Sequence, residues 1–204
     1  MAILSVLVFL YLGLLECPAL GGTYNPERNI GDVVPAWKHL PGTDDKQHSW
    51  GDVSDHDFVV VVFTCNSCPY AIDYEDRINS LSQLSQESDS RFTVVAINSN
   101  QIPEDSLPAM QQRAQKKQFS FPYLFDETQD LSHAFGAIRT PEFFILDHER
   151  RIRYMGAMDD NADSKNVKSH YLRDALTALL QGQAVPVAET PPIGCMIRTA
   201  RRRR

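Results

Sequence analysis

The sequence predicts an α/β protein in which helices cover both faces of a central mixed sheet, a three-layer α/β/α sandwich. Two continuous β-branched runs, FVVVVF at 58–63 and RFTVVAINS at 91–99, are typical of strands that are buried on both faces. Segments with helical spacing of apolar residues separate the early strands, whereas the last two strands adjoin each other. This order predicts parallel strands followed by an antiparallel pair.

The first helix directly follows the 58–63 strand. Between Cys68 and about Glu87 the apolar residues recur at helical intervals, and Pro69 suits a first helical turn, where its missing N–H costs little; these residues are Ile72, Ile78, Leu81 and Leu84. Before the strand, residues 24–57 are rich in Gly, Pro, Asp and His. They predict an irregular N-terminal extension with room for a short hairpin.

The later elements follow from the same patterns of spacing and turn residues. In chain order they are a helix over 103–119, a short extended piece over 121–126, a small helix over 128–137 closed by Gly136, an antiparallel hairpin formed by 142–147 and 151–158, and an amphipathic helix over 167–182 ending at Gly182. The Pro-rich residues beyond this helix predict a tail laid on the surface.

The N-terminal residues 1–21 predict a signal peptide. Residues 2–15 are almost unbroken apolar, too short for a comfortable membrane span, and Ala19 and Gly21 supply small residues for cleavage after Gly21. We therefore expect a protein exported to the periplasm or the extracellular space, with no integral membrane span in the mature chain. An uncleaved N-terminus would instead anchor it to a membrane.

The mature chain is then expected to hold one domain, residues 22–182, with a Pro-rich and basic tail over 183–204. Five of the 20 Lys and Arg residues lie at the extreme C-terminus, Arg198 and 201–204, which leaves 15 against 26 Asp and Glu in the rest, a balance of −11. An acidic body argues against nucleic acid as a partner, because nucleic-acid binding needs a basic surface.

The candidate for chemistry is FTCNSCPY at 63–70, where Cys65 and Cys68 form a C-x-x-C pair. A zinc site needs four ligands, but Cys17 and Cys195 are isolated and no histidine pair follows, so no metal is expected. Haem attachment is excluded because Pro69, rather than His, follows the pair. A structural disulfide across so short a loop would stabilise the fold only weakly. Redox chemistry remains.

A helix N-terminus favours a thiolate over a thiol, because unpaired N–H groups and the helix dipole lie there. Cys65 lies at the entrance of the helix, where we expect solvent and substrate to reach it, and Cys68 points inward. We therefore predict that Cys65 is the nucleophile and that Cys68 resolves the mixed disulfide. A C-x-x-C pair between a strand and a helix is a strong redox signal.

A second motif, RTPEFFIL, places Thr140 and Pro141 at the start of a strand. A cis bond before this proline would expose a backbone edge on which an extended substrate could pair. This motif alone would favour an ordinary trans proline that opens a strand, but together with the upstream C-x-x-C pair it favours a cis peptide. Thr140 and Pro141 are then expected to contact the substrate. Thr64 and Pro69, which flank the cysteine pair, complete the expected substrate-contacting set.

Over roughly residues 25–197 the chain resembles the thioredoxin-like superfamily, and within it a peroxiredoxin-like (redoxin) branch that carries a C-x-x-C motif. The resemblance rests on FTCNSCPYAIDYEDR, PEDS at 103–106, FPYLFDETQ, GAIRTPEFFILD, GAMDDN, HYLRDAL and PPIGCMI. It implies a thioredoxin-like fold and thiol chemistry with no bound cofactor. Electrons would come from another thiol protein, and the substrates would be protein or small-molecule disulfides.

Two departures bear on the substrate. Peroxiredoxins are expected to carry Thr or Ser three residues before the peroxidatic cysteine and Pro seven before it. Counted from Cys68 these positions are Cys65 and Val61, and counted from Cys65 they are Val62 and Phe58, so neither register fits. Thioredoxins carry Trp where Thr64 stands, and the strand before the pair offers no buried acid.

The sequence therefore favours an exported thiol–disulfide oxidoreductase. A peroxiredoxin-like peroxidase, to which Arg139 would supply a cation, is the first alternative, and a non-enzymatic binding module with a static cysteine bridge is the second. Cys195 has two interpretations: a small buried side chain, or a third redox thiol that folds back toward Cys65. The sequence does not predict the oligomeric state.

Overall fold

The structure is a computed structural model that describes residues 22–198. The predicted signal peptide, residues 1–21, and the arginine-rich end, residues 199–204, lie outside the described residues.

Residues 22–198 form a five-stranded mixed sheet, two small two-stranded sheets and four α-helices. In chain order the strands are β1 (Leu40–Pro41), β2 (Gln47–His48), β3 (Phe58–Phe63), β4 (Phe92–Asn98), β5 (Tyr123–Phe125), β6 (Arg139–Thr140), β7 (Glu142–Asp147), β8 (Ile152–Gly156) and β9 (Cys195–Met196). The helices are α1 (Pro69–Ser85), α2 (Leu107–Lys117), α3 (Asp130–Phe135) and α4 (Tyr171–Leu180).

The central sheet has the strand order β5-β4-β3-β7-β8. Strands β3, β4 and β5 run parallel, and β7 and β8 form the predicted antiparallel hairpin beside them. The predicted α/β class with a mixed central sheet is therefore confirmed. Strand β3 lies in the middle, which explains its unbroken β-branched sequence, since both of its faces are covered.

Successive residues of β3 face opposite sides of the sheet and pack into two separate cores. On one face, Val60 and Val62 pack with α1 and α4. On the other, Val59, Val61 and Phe63 pack with α3 and with two tryptophans of the N-terminal extension. The extension is therefore part of the second core, and its only paired strands form the short hairpin β1–β2.

Two helices begin later than their sequence patterns predict. The predicted 103–119 helix is a 3₁₀ turn at Pro103–Asp105 followed by α2, because Pro108 lacks an N–H and fits only the first turn of a helix. The predicted 167–182 helix begins only at Tyr171. The Asp160 side chain accepts the Lys168 N–H at 2.9 Å, which holds the preceding segment outside the helix.

The segment after α4 makes specific contacts with the domain. The Glu189 carboxylate accepts the backbone N–H groups of Thr23, Tyr24 and Asn25. Met155 of β8 exchanges backbone hydrogen bonds with Ala188 and Thr190. Farther on, β9 pairs antiparallel with β6. The sequence did not predict this last pairing, because a two-residue strand produces no alternating pattern.

The aromatic core beneath β3 should dominate stability. Phe144 of β7 is 0% exposed and packs against the rings of Phe63 and Phe135, with centroids 5.8 and 5.2 Å away. We expect Phe144→Ala to lower the free energy of unfolding by about 3–5 kcal/mol, measured by urea denaturation. Leu84→Ala, at a helical site that is 53% exposed, is the control and should cost under about 0.5 kcal/mol. Equal effects would contradict this view of the core.

Candidate active site

The cysteine pair lies between the end of β3 and the start of α1, as the sequence predicts. Cys68 is the N-cap residue of α1, and its sulfur accepts the Ala71 N–H at 3.5 Å. Pro69 occupies the first helical turn and is exposed. Thr64 is buried, and its N–H donates to the Ile97 carbonyl at 2.8 Å, so its backbone extends the pairing with β4.

Thr140, the last residue of β6, contacts both sulfurs of the pair. The predicted cis peptide between Thr140 and Pro141 is confirmed. The Thr140 hydroxyl lies 3.3 Å from Cys65 Sγ, and the Cys68 thiol donates to the Thr140 carbonyl at 3.0 Å. Two segments that are distant in sequence therefore meet around one dithiol. Cys65, Cys68 and Cys195 are all free thiols in this structure.

A buried acid that the sequence did not predict as functional holds the cysteine loop. Asp105 is 0% exposed, and its carboxylate accepts the N–H groups of Asn66 and Ser67 at 2.7 and 3.0 Å. It also accepts the Ser67 hydroxyl at 2.7 Å and the Asn100 side-chain amide at 2.8 Å. Asp105 belongs to the PEDS motif, which was the only sequence signal for it.

The two cysteines of the pair differ in their ionisation. A hydrogen bond with Cys68, burial and the negative charge of Asp105 raise the pKa of Cys65. The same hydrogen bond, donated by Cys65, lowers the pKa of Cys68, and further donation from Cys195 and the Ala71 N–H adds to this. When the site loses one proton, the charge is therefore favoured on Cys68, with Cys65 as a donor to it.

Glu142, the residue after the cis proline, is a second buried acid. Burial raises its pKa to about 7, although its carboxylate accepts the N–H groups of Ile138 and Arg139 at 2.9 and 3.1 Å. These two hydrogen bonds hold the start of β6, and with it Thr140, in place. The sequence did not single out Glu142, because one acid at the start of an apolar strand gives no pattern.

Two expectations about access to the pair are wrong in this structure. Cys65 was expected to be reachable by solvent, but it is 3% exposed and Cys68 is 1% exposed. The edge at Thr140 was expected to be open for a substrate, but β9 of the same chain already pairs with it. The guanidinium of Arg139 donates to the Gly194 carbonyl at 2.8 Å and so holds this segment.

Neither a metal cluster nor a membrane-spanning helix occurs within residues 22–198. In that range, no group of three or more His, Cys, Asp and Glu side chains is arranged to hold a metal ion. None of the described helices is both long and apolar enough to cross a membrane.

Comparison with known proteins assigns the chain to a family. The Redoxin family profile matches residues 29–171, well over half of the chain. The chain belongs to the Redoxin family. Membership carries a thiol-based redox function and agrees with the predicted peroxiredoxin-like branch of the thioredoxin-like superfamily. No curated protein matches the chain.

Solved structures of similar proteins have the same fold. An uncharacterized conserved protein from Geobacillus kaustophilus is 33% identical, with a TM-score of 0.77, over 84% of this chain and 93% of that one. A hypothetical protein from Sinorhizobium meliloti 1021 is 31% identical, with a TM-score of 0.76, over 84% and 96%. Peroxidoxin BcpB from Mycobacterium tuberculosis, 18% identical over 74% of this chain and 96% of that one with a TM-score of 0.58, shares the fold of this chain.

The charge of Asp105 should lower the reactivity of Cys65, in addition to the effects of Cys68 and burial. We expect Asp105→Asn to shift the alkylation of Cys65 by iodoacetamide to lower pH, because the amide still accepts the loop N–H groups but carries no charge. Mass spectrometry of the alkylated peptide measures the pH profile at each cysteine. Asp174→Asn, on exposed α4 surface, is the matched control. An unchanged Cys65 profile in Asp105→Asn would show that the charge does not act on the thiol.

Glu142 should make the protein less stable as pH rises. Its folded pKa, about 7, lies above the ordinary value of 4.5, so the folded state holds a proton there that the unfolded state releases. The stabilisation is complete below pH 4.5 and is lost as pH rises through 7, a change of about 3 kcal/mol. Glu142→Gln should remove this component.

Urea denaturation of both proteins at pH 4.5 and pH 8 measures the difference. The wild type should lose about 3 kcal/mol more than Glu142→Gln over this interval. Parallel losses in the two proteins would mean that Glu142 does not titrate in this range.

Proposed function

We propose that the protein is a thiol–disulfide oxidoreductase that uses Cys65 and Cys68. The observation that carries this proposal is the contact of both sulfurs with Thr140, beside the cis proline and at the N-terminus of α1. This arrangement keeps two thiols close together and lets them share one negative charge, which is the requirement for forming and breaking a disulfide.

In the reductive direction, the proton between the sulfurs moves to Cys68, and the Cys65 thiolate attacks one sulfur of a substrate disulfide. The substrate S–S bond breaks, its second sulfur leaves as a thiolate and takes a proton, and a mixed disulfide forms at Cys65. Cys68 then loses its proton, and its thiolate attacks Cys65 Sγ, so that the mixed disulfide breaks and the first substrate sulfur leaves as a thiolate. The Cys195 thiol and the Ala71 N–H still lie beside Cys68 when Cys65 is bound to the substrate, and both lower its pKa, which favours the attacking thiolate.

The oxidised pair is reduced again by a second dithiol. The substrates are protein or small-molecule disulfides, and the electron donor is another thiol protein, so no bound cofactor takes part. We further propose export: cleavage after Gly21 would leave residues 22–182 as the domain and 183–204 as its tail. An uncleaved N-terminus would instead keep the protein at a membrane.

Cysteine variants of the full chain test the proposal. With dithiothreitol as reductant and insulin as disulfide substrate, Cys65→Ser should lower turnover at least about 100-fold, because the attacking sulfur is lost. Cys68→Ser should accumulate a mixed disulfide between Cys65 and substrate, seen by mass spectrometry. Ser88→Ala, at an exposed site after α1 to which the proposal gives no role, is the control and should keep full activity.

Three outcomes decide against the proposal. Full insulin reduction by Cys65→Ser would exclude the exchange mechanism. Rapid consumption of hydrogen peroxide that survives Cys65→Ser but not Cys68→Ser would establish a peroxidase instead. A pair that resists dithiothreitol and supports neither reaction would indicate a binding module.

A further inference from the structure

The strand β9 places a third sulfur at the dithiol. In the antiparallel pair β6–β9, Cys195 lies directly opposite Thr140, and opposed residues of such a pair project to the same face. The Thr140 hydroxyl on that face lies 3.3 Å from Cys65 Sγ. Cys195 accordingly packs against the cluster formed by Cys65, Cys68 and Ala71.

Gly194 makes this close approach possible. A Cβ atom at this position would lie 2.0 Å from the Thr140 carbonyl oxygen and 2.6 Å from the carbonyl carbon. Both of those atoms are backbone, so any side chain at 194 would have to push β9 away from β6. The glycine at 194 therefore lets β9 lie close enough to β6 for Cys195 to pack against Cys65 and Cys68.

Several hydrogen bonds fix the segment around Cys195 on both sides. They are donated by Arg139 Nη1 to the Gly194 carbonyl (2.8 Å), by Ile197 N to the Ile138 carbonyl (3.0 Å), by Arg198 N to Asn100 Oδ1 (2.7 Å) and by Gln101 N to the Arg198 carbonyl (2.9 Å). The position of Cys195 at the dithiol is therefore specified by the fold.

The three sulfurs differ in accessibility. Cys65 and Cys68 are buried, whereas Cys195 is partly exposed. Cys195 packs beside Cys68 in this cluster, and its thiol contributes to the lowered pKa of Cys68. A reagent in solution therefore meets Cys195 more easily than the buried pair.

We propose that Cys195 is the third thiol of a three-cysteine redox centre, in which the disulfide passes from Cys65–Cys68 to Cys68–Cys195. The inference rests on the proposed function, since it takes the oxidised pair as its starting state. Its effect is to free Cys65 and to bring the disulfide to the exposed side of the site, where a reducing thiol protein can reach it.

The transfer is a balanced thiol–disulfide exchange. Cys195 loses its proton to solvent, and its thiolate attacks Cys68 Sγ. The Cys65–Cys68 bond breaks as the Cys68–Cys195 bond forms, and Cys65 leaves as a thiolate that takes up one proton. No net oxidation occurs in this step. An external dithiol then reduces Cys68–Cys195 by two further exchanges and is itself oxidised to a disulfide.

Disulfide mapping of the full chain tests the proposal. The protein is oxidised with glutathione disulfide, quenched in acid, alkylated and digested with trypsin. Cys65 and Cys68 fall in one peptide, residues 47–77, and Cys195 falls in another, residues 174–198. We expect these two peptides to be joined, with fragment ions that assign the link to Cys68 and an alkylated Cys65.

A variant of Gly194 tests whether the geometry of β9 causes the link. Gly194→Ala should lower the fraction of joined peptide about tenfold, since a strain of about 1.4 kcal/mol suffices for that factor. Gly51→Ala, at a site with nothing within 4 Å of the added Cβ, is the matched control and should form the link like the wild type. Equal yields in both variants would contradict the assigned role of β9.

The Cys65→Ser protein separates this inference from the proposed function. It lacks the exchange nucleophile, yet glutathione disulfide should still oxidise Cys68 and Cys195 to a disulfide and release two molecules of glutathione. Absence of the joined peptide in both the wild type and Cys65→Ser would overturn the inference, as would a link to Cys65. The inference does not require Cys195→Ser to lose insulin reduction, because Cys65 remains the residue that attacks the substrate disulfide. A joined peptide in a protein that never reduces insulin would refute the proposed function alone.

Discussion

Thr140 contacts both sulfurs of the motif, and the rest of the site depends on that double contact. Its hydroxyl meets Cys65 and its carbonyl meets Cys68 across more than 70 residues of chain. The loop reaches the helix N-terminus because β7 pairs with β3 in one register, in which Phe63 lies opposite Glu142. The aromatic core under these two strands therefore determines the geometry of the dithiol as well as the stability of the domain.

Charge is distributed unevenly around this contact. Asp105, from the turn before α2, binds the loop N–H groups that would otherwise be available to a Cys65 thiolate. Beside Cys68, the Cys65 thiol, the Cys195 thiol and the Ala71 N–H in the first turn of α1 all lower its pKa. Two cysteines only three positions apart thus have opposite tendencies to ionise, first because of the hydrogen bond between them and then because different elements of the fold contact each one.

The C-terminal segment reduces the exposure of the dithiol to solvent. A thioredoxin-like fold with an open edge at Thr140 would present Cys65 directly to a substrate, but here β9 fills that edge and covers both buried sulfurs. The segment that blocks the edge also carries a cysteine. Because Cys65 is buried beneath β9, this strand has to move before a substrate disulfide can reach Cys65, whereas a reducing thiol protein can approach the partly exposed Cys195.

The sequence by itself determined the mixed α/β sheet, the strand–C-x-x-C–helix order and the cis proline, because each leaves a local pattern: a β-branched run, helical spacing, or a proline at a strand start. It did not locate Asp105, Glu142 or the β6–β9 pair, because a single buried acid and a two-residue strand have no periodicity. The cysteine loop that Asp105 binds lies 38 residues or more away, and strand β9 lies still farther from β6. Glu142 binds the segment just before it, whose position depends on the sheet. Only the tertiary structure decided what surrounds the sulfurs, because burial and charge at a thiol depend on which distant segments pack against it.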